Sequence, residues 1–152
     1  MTSVLFICLG NICRSPTAEA VFKHKCARAG LDIYIDSAGT GGWHHGEDPD
    51  ERAQEAGHLR GYNFIGQTSR KVTKNDFVNF DYILAMDAAN LSDLKSACPS
   101  AYLGKLHLFL SFDEQNMAKD VPDPYYGGQG GFDHVLDLVE AASDGLLLHL
   151  TQ

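Results

Sequence analysis

Residues 4–20 read VLFICLGNICRSPTAEA and combine a short apolar run, a loop and the start of a helix. The unbroken apolar run over residues 4–8 is typical of a strand that is buried on both faces of a sheet. Ser15 as N-cap and Pro16 as first helical residue predict a helix that begins directly after the loop and ends at Gly30. The chain therefore opens with the first part of an α/β unit.

The remainder of the chain continues to alternate between strand-like and helix-like segments. Strands are predicted over residues 32–37, 82–86 and 106–110, and helices over 49–57, 91–97 and 132–150, with a further short helix that starts at Thr73. Strands separated by helices pair in parallel through right-handed crossovers. We expect a single doubly wound α/β domain over residues 1–152, with its ligand beyond the carboxyl ends of the strands. The first strand ends at Cys8.

Composition limits the classes of function. The chain has 152 residues, of which 44% are hydrophobic, and its formal net charge of −8 disfavours nucleic acid and anionic membranes as partners. The apolar run over 4–9 is too short for a transmembrane helix and lacks the basic flank of a signal peptide, so we expect a cytoplasmic protein. The four cysteines form no C-x-x-C pair and no zinc-type spacing with histidine, so neither a metal nor another cofactor is expected.

The loop after the first strand has the features of an anion site. Gly10 and Asn11 tolerate unusual backbone angles, so successive N–H groups can turn inward at the positive end of the following helix. Such a site favours the thiolate of Cys8, and Arg14 can add a planar bidentate contact to phosphoryl oxygens. Ser15 can donate its hydroxyl to the Cys8 sulfur, although a plain N-cap role fits the same position.

The segment CLGNICRSPTAEA (residues 8–20) resembles the phosphate-binding loop of the low-molecular-weight protein tyrosine phosphatases. Similar motifs follow along nearly the whole chain: SAGT at 37–40, W-H-x-G at 43–46, P-D-x-R-A at 49–53, FDYILAMD at 80–87 and DPYY at 123–126. The resemblance implies a four-stranded parallel sheet flanked by helices. It also implies hydrolysis of phosphotyrosine and small aryl phosphates through a cysteinyl-phosphate intermediate, with phosphotyrosine-containing proteins as partners and a monomer or weak homodimer as the assembly.

The resemblance assigns roles to residues of the loop. Cys8 begins the motif and is the expected nucleophile, with Arg14 and Ser15 as further catalytic residues. Asn11 and Ser37 are expected to brace the loop. The expected phosphate-binding residues are Leu9, Gly10, Asn11, Ile12, Cys13 and Arg14.

A proton donor is expected because phosphotyrosine leaves as a phenolate whose conjugate acid has a pKa of roughly 10. Twenty acidic residues are candidates, so the sequence alone does not choose among them. Asp123 stands between Pro122 and Pro124, where a role as a simple turn residue is also reasonable. The resemblance favours Asp123, which begins the D-P-Y-Y motif. The same residue should later deprotonate the water that attacks the cysteinyl-phosphate.

Trp43, Tyr125 and Tyr126 are the expected walls of the substrate pocket, because a flat substrate ring gains from aromatic faces beside it. By similarity, Trp43 and Tyr125 should flank the ring. A pocket deep enough for a phenyl ring leaves the shorter phosphoserine out of reach of the sulfur. Within the family, Cys13 can form a reversible disulfide with Cys8, which protects the nucleophile from overoxidation. A small buried filler is the alternative role for Cys13.

Three other functions are compatible with this loop. An arsenate reductase of the same fold needs two further cysteines close together, whereas Cys98 stands alone in the region where that pair would lie. A protein-arginine phosphatase of the same superfamily tends to have threonine where this chain has Ile12. A non-catalytic phosphotyrosine-binding or redox-sensing module would keep Arg14 but lose Cys8 or Asp123, and both are present.

Overall fold

The computed structural model describes residues 1–116, 119–125 and 129–152. Within these residues the strands and helices follow in the order β1 (Ser3–Cys8), α1 (Arg14–Arg28), β2 (Tyr34–Gly39), α2 (Glu51–Leu59), α3 (Lys74–Asn79), β3 (Tyr82–Ala85), α4 (Ala88–Ala97), β4 (Leu106–Leu108) and α5 (Gln129–Thr151). Two 3-10 helices flank β4, over Ser100–Lys105 and Phe109–Phe112. None of the described helices is long and apolar enough to cross a lipid bilayer.

The strands form one parallel sheet in the order β2-β1-β3-β4 among the described residues. All six residues of β1 are buried, because helices cover both faces of the sheet. Alternate side chains of β1 and β3 enter two separate cores. Val4, Phe6 and Leu84 pack beneath α1, α2 and α5, while Leu5 and Ile83 pack beneath α3 and α4. The prediction of a doubly wound α/β sheet with four parallel strands is confirmed.

The start of α1 differs from the prediction. The helix begins at Arg14 with Cys13 as its N-cap residue, and no side chain caps it. The prediction that Ser15 is the N-cap is therefore wrong. The loop already enters helical geometry at Cys13, whose carbonyl accepts the N–H of Thr17 at 3.2 Å. Ser15 lies inside the first turn, completely buried, and its hydroxyl is available for contacts within the loop.

Other elements begin two or three residues away from their predicted starts. β2 begins at Tyr34, because that residue is the partner of Ser3 in the register of the sheet. α4 begins at Ala88, since the carboxylate of Asp87 caps it by accepting the N–H of Asn90 at 2.7 Å. α5 begins earlier than predicted, at Gln129. The predicted capping box of α3 is present.

The carboxyl ends of the central strands bring three loops together. Thr40 N–H donates to the Cys8 carbonyl at 2.9 Å, which joins the loop after β2 to the end of β1. Val121 N–H donates to the Met86 carbonyl at 2.7 Å, which places residues 119–125 beyond β3. The segments that carry the predicted site residues therefore meet at one edge of the sheet, as the topology predicts.

Candidate active site

The loop between β1 and α1 turns at Asn11. Its φ of 57° makes it the one non-glycine residue with positive φ in the described part of the chain. Its side-chain Nδ2 donates to the hydroxyls of Ser15 at 2.8 Å and Ser37 at 3.0 Å, and its Oδ1 accepts the N–H of Arg70 at 3.0 Å. These contacts hold a conformation that is unfavourable for a residue with a Cβ. These hydrogen bonds brace the loop against Ser37 and the backbone of Arg70.

The buried side chain of Glu19 holds Ser37, which in turn contacts Asn11. The Ser37 hydroxyl donates to Glu19 Oε1 at 2.7 Å, and the Glu19 carboxylate also pairs with Lys23. Glu19 is only 4% exposed, and Ser37 and Lys23 supply one partner for each of its carboxylate oxygens. Neither Glu19 nor Arg70 was predicted from the sequence as part of the site. Glu19 stands within the loop motif itself, whereas no signal in the sequence pointed to a contact between Asn11 and a residue 59 positions away.

The Cys8 sulfur lies at the base of the loop and is almost completely buried. Its Sγ is 3.0 Å from the Ser15 hydroxyl oxygen, and the Asn11 N–H donates to it at 3.3 Å. Because the Ser15 oxygen already accepts from Asn11, the Ser15 proton is free to point at the sulfur. The sulfur therefore faces two hydrogen-bond donors, an arrangement that stabilises a thiolate.

Arg14 is held by two acceptors that the sequence did not identify. Nη1 donates to Asp87 Oδ2 at 2.6 Å and to the Val121 carbonyl at 3.0 Å, and Arg14 is 3% exposed. Burial opposes the charge of Arg14, but the Cys8 sulfur and the Asp87 carboxylate outweigh it and raise the pKa of the guanidinium. The side chain therefore stays charged and in one orientation. Asp87 fixes that orientation.

A cavity of about 320 Å³ opens above the sulfur. Trp43 stands at its mouth with 72% of its surface exposed, and its ring lies where a Cβ on Gly41 would be, only 2.0 Å from the nearest ring carbon. Tyr125 is half-buried on another wall, and Tyr126 lies outside the described residues. The lining comprises Cys8, Leu9, Gly10, Ile12, Cys13, Arg14, Trp43, His44, Asp123 and Tyr125.

His44 also lines the cavity, although no role was predicted for it from the sequence. Its ring centroid is 6.2 Å from that of Tyr125, and its Nδ1 lies 2.8 Å from Glu47 Oε2. The only available signal was its place beside Trp43 in the W-H-x-G motif. His44 thus lines the cavity beside Tyr125.

Asp123 lies at the rim of the cavity, with 41% of its side chain exposed. Its Oδ1 accepts the N–H of Tyr125 at 3.1 Å, while Oδ2 lies 3.6 Å from Arg14 Nη2. One carboxylate oxygen is therefore oriented by the loop and the other faces the guanidinium. A group bound by Arg14 would have this carboxylate beside it, on the side of the cavity that opens to solvent.

Cys13 is 4% exposed and lines the same cavity as Cys8. Burial, together with the negative charge of Asp50, raises the pKa of the Cys13 thiol far above its ordinary value, so it is protonated at neutral pH. All four cysteines are free thiols. A disulfide between Cys8 and Cys13 stays a prediction. Within the described ranges, no cluster of three or more His, Cys, Asp or Glu side chains has the geometry of a metal site.

The sequence profile of the family described as "Low molecular weight phosphotyrosine protein phosphatase" matches residues 3–152. Low molecular weight protein-tyrosine-phosphatase YfkJ of Bacillus subtilis is 45% identical over 97% of this chain and 94% of its own. The crystal structure of a protein tyrosine phosphatase from Entamoeba histolytica superposes with a TM-score of 0.96, at 43% identity over 99% of this chain and 97% of that one.

This chain belongs to the low molecular weight phosphotyrosine protein phosphatase family. The family predicted from the loop motif is thereby confirmed, as are the fold and the phosphatase class of the enzyme. The crystal structure of a Drosophila arginine phosphatase also superposes on this phosphatase, with a TM-score of 0.92 and 34% identity over 100% of this chain and 99% of that one. The fold is therefore shared by proteins named for different substrates.

Proposed function

We propose that this phosphatase hydrolyses phosphotyrosine in proteins, and small aryl phosphates, through a phosphate ester of Cys8. The observation that carries the proposal is the position of the buried Cys8 sulfur beneath a cavity that Arg14 lines and Asp123 borders. Nucleophile, anion-binding group and carboxyl group thus meet in one place. This arrangement supports enzymatic turnover over mere phosphotyrosine binding, which would not need Cys8 or Asp123.

In the first step, the Cys8 thiolate attacks phosphorus and forms an S–P bond while the bond to the aryl oxygen breaks. The leaving oxygen departs on the side opposite the sulfur, toward the mouth of the cavity, where Asp123 is exposed. Asp123 donates its proton to that oxygen. A well-placed general acid contributes roughly 10²–10⁴ in rate. The loop N–H groups and Arg14 hold the equatorial oxygens, which carry the negative charge.

In the second step, the Asp123 carboxylate takes a proton from water, and the water oxygen attacks phosphorus. The S–P bond breaks and Cys8 leaves as a thiolate. The Ser15 hydroxyl, 3.0 Å from the sulfur, stabilises that negative charge as it returns. Inorganic phosphate is then released, and the enzyme regains its starting protonation state.

The pocket walls support an aryl phosphate as substrate. Trp43 and Tyr125 can flank a phenyl ring, and the buried apolar side chain of Ile12 lines the cavity where the polar guanidinium of phosphoarginine would need hydrogen-bond partners. Arsenate reduction is less well supported. Cys98 lies in the core beneath α4 and is not among the cavity residues, so it offers no relay for a disulfide.

Phosphotyrosine-containing proteins are the proposed partners, and the protein is proposed to act in the cytoplasm as a monomer or weak homodimer, without nucleic acid. The negative net charge of −8 supports the last point, because it repels polyanions at long range. The proposed redox role of Cys13 is supported by its burial beside Cys8 in one cavity. After a peroxide has oxidised Cys8 to a sulfenic acid, the Cys13 thiol would attack that sulfur and give up its proton, and the disulfide would form with release of water.

The substrate assignment is tested by comparing a phosphotyrosine peptide, a phosphoarginine peptide and p-nitrophenyl phosphate. We expect kcat/KM for the phosphotyrosine peptide to exceed that for the phosphoarginine peptide by at least about tenfold, because the pocket offers the guanidinium few polar partners. Ile12→Thr is the matched variant and should reduce this ratio. A wild-type preference for phosphoarginine would contradict the proposed substrate while leaving the nucleophile in place.

A further inference from the structure

Arg52, in the first turn of α2, is fixed by one carboxylate. The Asp50 side chain caps the helix by accepting the Arg52 N–H at 2.8 Å. The same carboxylate accepts the guanidinium through Nε at 3.1 Å and Nη2 at 3.0 Å. A bidentate contact of this kind fixes the plane of the guanidinium as well as its position. Arg52 therefore presents a rigid, flat cation on the side of α2 that faces the active site.

The guanidinium lies against two aromatic rings that belong to different parts of the chain. Its Cζ is 5.4 Å from the ring centroid of Tyr125 and 4.9 Å from that of Phe132. Tyr125 is a wall of the catalytic cavity, whereas Phe132 is buried in the core as part of α5. Through these two cation–π contacts, Arg52 joins Tyr125 in the pocket wall to Phe132 in the core.

These contacts complete a chain of interactions from the phosphate-binding loop to Asp123. The Asp50 N–H donates to the Ile12 carbonyl at 2.8 Å, which joins α2 to the loop. Arg52 then connects Asp50 to Tyr125, and the Tyr125 N–H donates to Asp123 Oδ1 at 3.1 Å. The Asp123 carboxylate is 41% exposed, and its other oxygen, Oδ2, lies 3.6 Å from Arg14 Nη2. The position of the Asp123 carboxylate relative to the Cys8 sulfur therefore depends on where the Tyr125 backbone is held.

We infer that Arg52 is a positioning residue that holds Tyr125, and through it the Asp123 carboxyl, over the leaving oxygen of the substrate. This inference rests on the proposed role of Asp123 as the acid. A planar guanidinium is required, because lysine would keep the charge but lose both the bidentate contact and the stacking. An ordinary surface ion pair would instead contribute little and would not affect one class of substrate more than another.

The test uses aryl phosphates with good and poor leaving groups, since only poor ones need a proton from the acid. In Arg52→Lys and Arg52→Gln, we expect kcat/KM for phenyl phosphate to fall about tenfold, whereas that for 2,4-dinitrophenyl phosphate should fall less than about twofold. Inhibition by vanadate should stay within about twofold of wild type, which reports a folded phosphate-binding loop. Arg60→Lys is the matched control, because Arg60 also joins α2 to α5, through Asp137 and Glu140, without a ring contact to Tyr125.

Asp123→Ala is measured on the same substrates so that two failures can be told apart. If Asp123→Ala loses the poor leaving group selectively and the Arg52 variants do not, the inference on Arg52 is overturned and the proposed acid stands. If Asp123→Ala shows no selectivity, the acid assignment fails and the inference falls with it. Wild-type kinetics in Arg52→Lys would also overturn the inference, because charge alone would then suffice.

Discussion

At the scale of single residues, Asn11 determines the shape of the site. Its left-handed backbone, with φ of 57°, turns its own N–H toward the Cys8 sulfur, 3.3 Å away. That conformation costs a residue with a Cβ about 1 kcal/mol or more. The side-chain contacts to Ser15, Ser37 and the Arg70 N–H offset the cost. Backbone strain held by neighbouring contacts is a common feature of functional sites.

Two substitutions separate the backbone role of Asn11 from its side-chain role. Asn11→Gly accepts the positive φ without strain but loses the side-chain hydrogen bonds, whereas Asn11→Ala also retains the steric cost. We expect both variants to lower kcat/KM for p-nitrophenyl phosphate by at least about tenfold. The alanine variant should lower the free energy of unfolding by about 1 kcal/mol more than the glycine variant, measured by urea unfolding. Equal stability of the two variants would contradict the strain argument.

At the scale of elements, the close packing of α5 on the 3-10 helix after β4 depends on one glycine. A Cβ on Gly145 would lie 1.8 Å from the Phe112 carbonyl oxygen, so the two backbones are in direct contact. A side chain there would have to push the 3-10 helix away from α5. The terminal helix thus approaches the 3-10 helix backbone to backbone, while its apolar face packs into the core.

Gly145→Ala should consequently destabilise the protein. We expect the free energy of unfolding to fall by about 1–3 kcal/mol, as for other overpacked sites, with kcat unchanged in the folded protein because Gly145 is remote from the cavity. Gly130→Ala on the same helix is the matched control, since a Cβ there meets no atom of the described residues within 4 Å. That control should be neutral or stabilising because alanine favours the helix. Equal effects of the two substitutions on urea unfolding would refute the packing argument.

At the scale of the whole molecule, the sequence was sufficient to predict those features of the fold that depend on local patterns along the chain. The apolar run ending at Cys8 and the alternation of elements were sufficient for the parallel sheet and for the position of the loop. The predicted start of α1 was wrong, because a Ser-Pro pair normally marks the N-cap and the first residue of a helix. Here the turn at Asn11 places the N-cap at Cys13 instead. The support of Arg14 by Asp87 could not be derived from the sequence, because it joins residues 73 positions apart.

The response of the whole molecule to acid should depend on His107, which packs against Tyr82 and Phe112 near His149. Burial and the neighbouring charge of His149 lower the pKa of His107 in the folded state. The unfolded chain therefore binds the proton first, at about pH 6.5, and stability is lost as the pH falls below that value. The free energy of unfolding should decrease from pH 7 to pH 5, with a smaller decrease in His107→Gln.

The matched variant for this effect is His149→Gln, which removes the neighbouring charge but leaves His107 buried. It should give a pH dependence between those of the wild type and His107→Gln, because burial is the larger cause of the lowered pKa. Urea unfolding at intervals between pH 5 and 7 provides the measurement. Identical pH dependence in the wild type and His107→Gln would show that His107 does not titrate differently in the two states.

The central claim is that the Cys8 sulfur, buried beside Ser15 and Asn11, becomes covalently phosphorylated during turnover. Acid quenching of the enzyme during hydrolysis of ³²P-labelled 2,4-dinitrophenyl phosphate, whose leaving group needs no proton from Asp123, tests it directly when followed by peptide mapping. We predict label on the peptide containing Cys8, more of it in Asp123→Ala because hydrolysis of the intermediate slows, and none in Cys8→Ser. A turnover-competent enzyme that never carries label at Cys8, or a Cys8→Ser variant that retains substantial activity, would contradict the account.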